Sequence, residues 1–282
     1  MNAAPPLVLV FAANDPSGGA GMSADILTLA ALGCHALPVI SALTVHDSAG
    51  LQEFQPVDPE WLHDQARYVL EDAEVNAIKV GMVGSVENLT VLAEIAADYP
   101  EIPLILDPVL PGVHSDEMAA DEYLAALRDL LVPHSLIVTP NQHEARLLAS
   151  DDVDEQEDLP LDAAANRIIQ LGCEYVLITG SQAQTPKVIN ALFSQNGRVR
   201  TDSWDRLPGR FHGAGATLSA AIAGALANDV ELVQAVRDAQ DFTWQTLKNA
   251  FRPGMGQPLP DRMFWARAGA EADETGAAEP EA

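Results

Sequence analysis

The sequence predicts an α/β fold with a mostly parallel central sheet covered by helices on both faces. Short β-rich runs alternate with longer helical stretches along most of the chain. The runs are near-continuously apolar, as strands buried on both faces are. Gly, Asn and Asp gather just after several runs, where strand hands over to helix.

In order, the run Leu7–Ala13 is followed by a turn of small residues and a helix over Met22–Leu32, stopped by Gly33. A strand over Ala36–Val45 and a helix over Pro59–Glu71 come next. Strand Ala77–Val80 then leads to helix Val86–Ala97, and strand Leu104–Leu106 to helix Asp121–Leu130. Strand Leu136–Thr139 precedes helices His143–Ala149 and Asp162–Leu171, and strands Tyr175–Thr179 and Val188–Phe193 follow. Long helices over Ala216–Ala227 and Leu232–Ala250 close the order. Ligands of such sheets sit beyond the carboxyl ends of the strands, so the loops after Ala13, Val45, Val80, Leu106, Thr139 and Thr179 are where a site is expected.

A chain of 282 residues that is 48% hydrophobic can bury one large core, and one domain over residues 1–267 is expected. The segment 268–282 reads as an acidic, disordered tail, and Asp151 to Asp158 as a solvated acidic loop, since neither can bury enough apolar surface to offset ordering. No stretch reaches the roughly 18 uninterrupted apolar residues of a spanning helix, and no basic flank precedes Leu7, so a cytoplasmic protein off the membrane is expected. The formal charge of −26, from 41 acidic against 15 basic residues, repels phosphodiester backbones and argues against nucleic-acid binding. Cys34 and Cys173 each follow a Leu-Gly pair and read as small buried residues.

Chemistry concentrates in the predicted loops. The turn Asn14 to Gly21 permits close backbone approach to a ligand, with Asp25 one turn into the helix, although many α/β turns need Gly for packing alone. Asp107 ends one strand, and Asn141 with Glu144 follows another. Together they could hold Mg²⁺ through water beside a polyphosphate, while spacing alone favours Asn141 as a helix cap with Glu144 completing a capping box. The segment His212 to Ala221 turns through glycines into a helix of very small residues, which suits an anion site and equally suits close packing on a sheet. His46 could hydrogen-bond a heterocycle or cap its loop. The other histidines show no pair at metal-ligand spacing.

These pieces, in this order from about residue 7 to residue 260, resemble the hydroxymethylpyrimidine and phosphomethylpyrimidine kinases of thiamin synthesis. The resemblance rests on DPSGGAGMSADILTLAALG at the first turn and helix, LDPV at Leu106–Val109, TPNQHEA at Thr139–Ala145, HGAGATLSAAIA at His212–Ala223 and GMGQP at Gly254–Pro258. It implies a ribokinase-like three-layer α/β/α fold, a homodimer, and transfer of the γ-phosphate of ATP, with Mg²⁺, onto a pyrimidine methanol or its phosphate. By the same resemblance Gly213, Ala214, Gly215 and Ala216 form the anion hole, and Asp107 and Glu144 organise Mg²⁺. Ala13, Asp25, Val45, His46 and Val109 surround the substrate ring. Asn141, Thr179, Gly180, Arg210 and Gly254 belong to the nucleotide side.

The chain departs from the family pattern at several of these positions. The anion hole usually ends in a Cys, or an Asp in sugar-kinase relatives, serving as base, and here it ends in Ala216. A Lys-Gly-Gly-His segment is replaced by Thr179-Gly180-Ser181-Gln182, leaving Arg210 as the candidate cation for the phosphates. A first-strand Gly is Ala13, and a ring-binding Gln or Glu followed by Asn is His46-Asp47. The expected activity is therefore a kinase for hydroxymethylpyrimidine or a related heterocyclic alcohol such as a pyridoxal-like compound. The alternative is a silent member of the fold that binds a pyrimidine or nucleotide and reports it to a partner.

Overall fold

The computed structural model describes residues 4–110, 117–150, 156, 158–180 and 185–267. Its main sheet has eight strands in the order β10-β9-β8-β7-β6-β5-β1-β2. They are β1 (Leu7–Ala12), β2 (His35–Ile40), β5 (Ala77–Val80), β6 (Leu104–Leu106), β7 (Ile137–Val138), β8 (Tyr175–Ile178), β9 (Lys187–Ser194) and β10 (Gly197–Asp205). From β2 to β8 every pairing is parallel, and β9 and β10 add an antiparallel edge. Strands β3 (Ala42–His46) and β4 (Leu51–Pro56) form a separate antiparallel hairpin.

The helices are α1 (Gly21–Ala31), α2 (Pro59–Asp72), α3 (Val86–Asp98), α4 (Glu117–Ala126), α5 (Gln142–Ala149), α6 (Leu161–Gln170), α7 (Ala214–Ala227) and α8 (Leu232–Lys248). Strand alternation divides the core between the two sheet faces. Leu9, Phe11, Ile78, Val80, Leu104 and Leu106 meet α2 to α6 through residues such as Leu62, Leu92, Leu148 and Ile168. Val8, Val10, Ala77 and Ile105 meet α1, α7 and α8 through Met22, Leu29, Ile222 and Val236. This is the three-layer arrangement expected. Both cysteines are buried, as expected.

Strand β1 has β2 on one side and β5 on the other, so the strand order reverses at β1. A crevice opens at such a reversal, beyond the carboxyl ends of the strands. It follows that the turn after β1, with Asn14 and Asp15, is at the centre of the cleft described below.

Three departures from the sequence reading concern elements. The run Ala36–Val45 is not one strand. It breaks at Ser41, whose hydroxyl is held by the Met82 carbonyl, and beyond that point the chain leaves the main sheet for the hairpin. β4 and β10 were not expected, because both are polar edge segments (LQEFQP and GRVRTDSWD) with little apolar signal. The helix expected over Asp121–Leu130 begins at Glu117 and passes into a π-helical turn, Leu127–Leu131. The tail 268–282, Ser181, Gln182, His114 and most of the loop Asp151 to Asp158 lie outside the described residues. Among the described residues no helix is long and apolar enough to cross a membrane.

Candidate active site

A cleft of about 1200 Å³ lies at the carboxyl end of the sheet. Its walls bring together Ala13, His46, Asp107, Val109, Asn141, Glu144, Thr179, Arg210 and the start of α7 from Gly213 to Ala216, residues that are far apart in sequence. Four other expected site residues do not line it.

The start of α7 is built for an anion. Gly213 caps the helix with φ of 88°, a left-handed conformation open to glycine, and no side chain caps the first turn. A Cβ on Gly213 would lie 1.7 Å from the Gly19 carbonyl oxygen. The two glycine-rich turns therefore touch through backbone. The N–H groups of Ala214, Gly215 and Ala216, in the first turn, have no intrahelical acceptor, and the helix dipole adds positive potential where they point.

Asp107 faces this helix start. A Cβ on Gly215 would sit 3.9 Å from both of its carboxylate oxygens, and the Ser219 hydroxyl donates to Oδ2 at 3.3 Å. Burial pushes the Asp107 pKa up, against the pull of Lys79 and Ser219. Glu144 sits at the first turn of α5, where Asn141 accepts from the backbone N–H of His143 and Glu144, and Glu144 Oε2 accepts from the Asn141 N–H at 2.8 Å. The capping box anticipated from spacing is thus present, and both of its members also line the cleft. Burial, with a contribution from the nearby Asp107 charge, pushes the Glu144 pKa up to about 8. Two carboxylates that raise the cost of each other's charge, in a cleft with a hard-oxygen donor set, fit a divalent cation such as Mg²⁺.

Two cations at the site went unnoticed in the sequence. Lys79 lies on β5 on the α1 side of the sheet, the side Ala77 shares, and its ammonium donates to Asp25 Oδ2 at 2.8 Å. The pair is 1% and 0% exposed. Burial raises the Asp25 pKa to about 6 even though Lys79 opposes the rise. Asp25 is therefore a counter-ion beneath the cleft and not the ring contact expected from the sequence, and Lys79 is the member of the pair that reaches the cleft wall. Arg262 donates to the Gly19 carbonyl at 2.6 Å and to Thr217 Oγ1 at 3.0 Å, bracing the two glycine turns. Burial lowers its pKa to about 10, so it stays cationic at neutral pH. A lysine inside the otherwise apolar run AIKV was the available signal for Lys79. For Arg262, past the last long helix, there was none.

Val45, Gly180 and Gly254 also fall outside the wall. Val45 is 59% exposed, because alternation along β3 turns it away from the face that carries Thr44 and His46 into the cleft. Gly180 is pressed against β9, where a Cβ would meet the Ile189 carbonyl oxygen at 2.2 Å, and its N–H donates to Asn190. Gly254 packs near Ser48, and the adjoining Gly256 and Gln257 N–H groups donate to Ser48. The GMGQP segment therefore braces the loop after His46, and its Gln257 lines the cleft although Gly254 does not. Arg210 is exposed at the rim.

Asp15 sits in the turn after β1 and accepts from the backbone N–H of Ser17 at 2.8 Å and Ala20 at 2.7 Å. Burial raises its pKa, but the hydrogen bonds from His212, Ser17 and Ala20 outweigh that and hold it well below the usual carboxylate range. The His46 and His212 rings are stacked beside it, with centroids 4.5 Å apart.

Comparison with known proteins shows the family and the fold. The family model described as phosphomethylpyrimidine kinase matches residues 15–260. A hydroxymethylpyrimidine/phosphomethylpyrimidine kinase of Streptomyces coelicolor is 34% identical over 253 residues, covering 89% of this chain and 92% of that one. A Bacillus subtilis pyridoxal kinase solved as an ADP complex superposes with a TM-score of 0.82 at 25% identity, covering 93% of this chain and 99% of the other. A Staphylococcus aureus pyridoxal kinase solved in complex with pyridoxal gives 0.81 at 26% identity, covering 94% and 96%.

Proposed function

The chain belongs to the phosphomethylpyrimidine kinase family, and from that premise we propose that it transfers the γ-phosphate of ATP to the hydroxyl of hydroxymethylpyrimidine or to its monophosphate. The observation that carries the proposal is the uncapped start of α7 facing Asp107 across one cleft, with Lys79 reaching its wall.

In this reading the N–H groups of residues 214 to 216 hold the transferring phosphate. Asp107 and Glu144 would hold Mg²⁺, which would supply charge neutralisation at the phosphates when bound. Lys79, paired with Asp25, lies at the floor beside the acid cluster, and Arg262 keeps the glycine turns in register. Thr44, His46, Ala13 and Val109 enclose the substrate ring, while Thr179 and Arg210 stand on the nucleotide side.

Ala216 offers no base. Phosphoryl transfer passes through a loose transition state that asks for little early proton removal, so electrostatic stabilisation dominates and the reaction proceeds more slowly than with a base present. The protein acts in the cytoplasm as a homodimer.

The test is ADP release from purified protein with MgATP, with and without hydroxymethylpyrimidine, and with pyridoxal as the competing acceptor. Pyrimidine-dependent release that falls on Glu144→Gln supports the reading. Thermal stabilisation by the pyrimidine with no ADP release replaces it with the silent binding protein. Release driven by pyridoxal alone would move the substrate to that class.

A further inference from the structure

Asp15, His46 and His212 come from three separate loops: the turn after β1, the end of β3 and the residue before the α7 cap. Nothing in their sequence spacing suggests a cluster. Asp15 Oδ2 lies 2.7 Å from His212 Nε2, and Asp15 Oδ1 lies 3.5 Å from His46 Nδ1. One ligand atom from each residue lies within 4.8 Å of the other two, and among the described residues this is the one such group of three or more His, Cys, Asp or Glu side chains. The side chains are 3%, 12% and 16% exposed in the order Asp15, His46, His212, and both histidines line the cleft.

We propose that these three residues bind a divalent transition-metal ion of the Zn²⁺ or Co²⁺ class, with a coordination position left open toward the cleft. Imidazole nitrogen with a carboxylate is the donor set such ions prefer, and three protein ligands leave a fourth position for a nitrogen or oxygen of whatever occupies the cleft. The 3.5 Å separation of Asp15 Oδ1 and His46 Nδ1 matches the edge of a tetrahedron with bonds of about 2.1 Å. The Asp15 to His212 contact, through the other carboxylate oxygen at 2.7 Å, is a hydrogen bond that the ion displaces, and the stacked His46 and His212 rings turn apart so that a nitrogen of each faces the ion. His46 Nδ1 now contacts the Asp47 carbonyl at 2.6 Å and gives up that contact to the ion.

The carboxylate is already oriented from behind. Ser17 and Ala20 donate to it through their backbone N–H groups, which is the outer-shell support that metal ligands require. The site differs in chemistry from the Asp107 and Glu144 pair, whose all-oxygen donors suit a hard ion. The two sites therefore select different metals within one cleft. This inference stands on the cluster itself and holds whether or not the chain is a pyrimidine kinase.

The experiment uses untagged full-length protein stripped with chelator and free of nucleotide. Co²⁺ is titrated by its visible absorption and Zn²⁺ by calorimetry, on wild type, His46→Gln and the control His63→Gln, an exposed histidine outside the cluster. Expected is one ion per chain, a Co²⁺ spectrum that excess Mg²⁺ does not remove, and affinity at least about 10-fold weaker in His46→Gln, the least that losing even an outer-shell partner costs. Thermal unfolding of the metal-free variant should match wild type, separating ligand loss from misfolding. Absence of Co²⁺ binding would overturn the proposal. So would binding of full affinity in His46→Gln, or an equal loss in His63→Gln.

Discussion

Replacing Lys79 with Met removes the ammonium from beside Asp25 while keeping a side chain of similar length. In the native protein the pair is 2.8 Å apart and 1% and 0% exposed, so solvent cannot take over the lost partner's role. Asp25 Oδ1 already has no hydrogen-bond partner, and the substitution strips Oδ2 as well. Breaking a buried pair from one side costs about 3–5 kcal/mol, because a charge is left uncompensated. At roughly 2–4 °C per kcal/mol for chains approaching this size, the melting temperature should fall by about 6–20 °C. The loss should shrink as pH falls toward about 6, because without Lys79 the Asp25 carboxyl takes up its proton at a higher pH than in the native protein. Adding Asp25→Asn to Lys79→Met removes the orphaned charge, so the double variant should be more stable than Lys79→Met alone. Urea denaturation of the four proteins across this pH range is the assay. A loss below about 1 kcal/mol in Lys79→Met, the size of an exposed ion pair, would refute the assignment of Lys79 and Asp25 as the buried counter-ion pair under the site.

Four further outcomes are expected. Glu144 has its pKa raised from 4.5 to about 8, so the folded protein holds a proton that the unfolded chain releases. Its contribution to stability is full below about 4.5 and is lost as pH rises through about 8; urea midpoints of Glu144→Gln should lack the upper part of that decline, the lower part being shared with Asp25. Gly213→Ala places a Cβ 1.7 Å from the Gly19 carbonyl oxygen, and the resulting shift of the α7 start by about 1 Å should lower kcat by about 10²-fold in a steady-state assay. Ala216→Cys supplies the absent base and should raise kcat, by up to about 10²-fold or more if proton removal limits the rate. Arg210→Ala should weaken ADP binding in calorimetry, and unchanged affinity would remove Arg210 from the nucleotide side.

The sheet and its loops were legible because their signal is local. Apolar runs such as LVLVFA and AIKV mark strands buried on both faces, and the glycines of DPSGGAG and HGAGA mark close backbone approach. The capping box of Asn141 and Glu144 was equally local, and spacing alone favoured the helix-cap role that the structure shows. Contacts between distant segments left no such mark. The Lys79 to Asp25 pair spans 54 positions, and the Asp15 to His212 pair spans 197. The family resemblance puts Asp25 at the ring, yet one turn into its helix the residue is fully buried against Lys79. Val45 enters by the same resemblance, which does not show the way its side chain faces. The run through it reads as one strand, and only the break at Ser41 reveals the hairpin whose alternation turns Val45 out and His46 in.

The central claim is that this cleft phosphorylates a pyrimidine methanol although Ala216 stands where the base is usual. The most direct measurement is mass detection of the acceptor after incubating purified protein with hydroxymethylpyrimidine and MgATP, with Glu144→Gln in parallel. The account predicts pyrimidine carrying one added phosphoryl group, formed together with ADP and reduced in the variant. Unmodified pyrimidine after many hours, with a protein that the pyrimidine and MgATP both stabilise against unfolding, would contradict it.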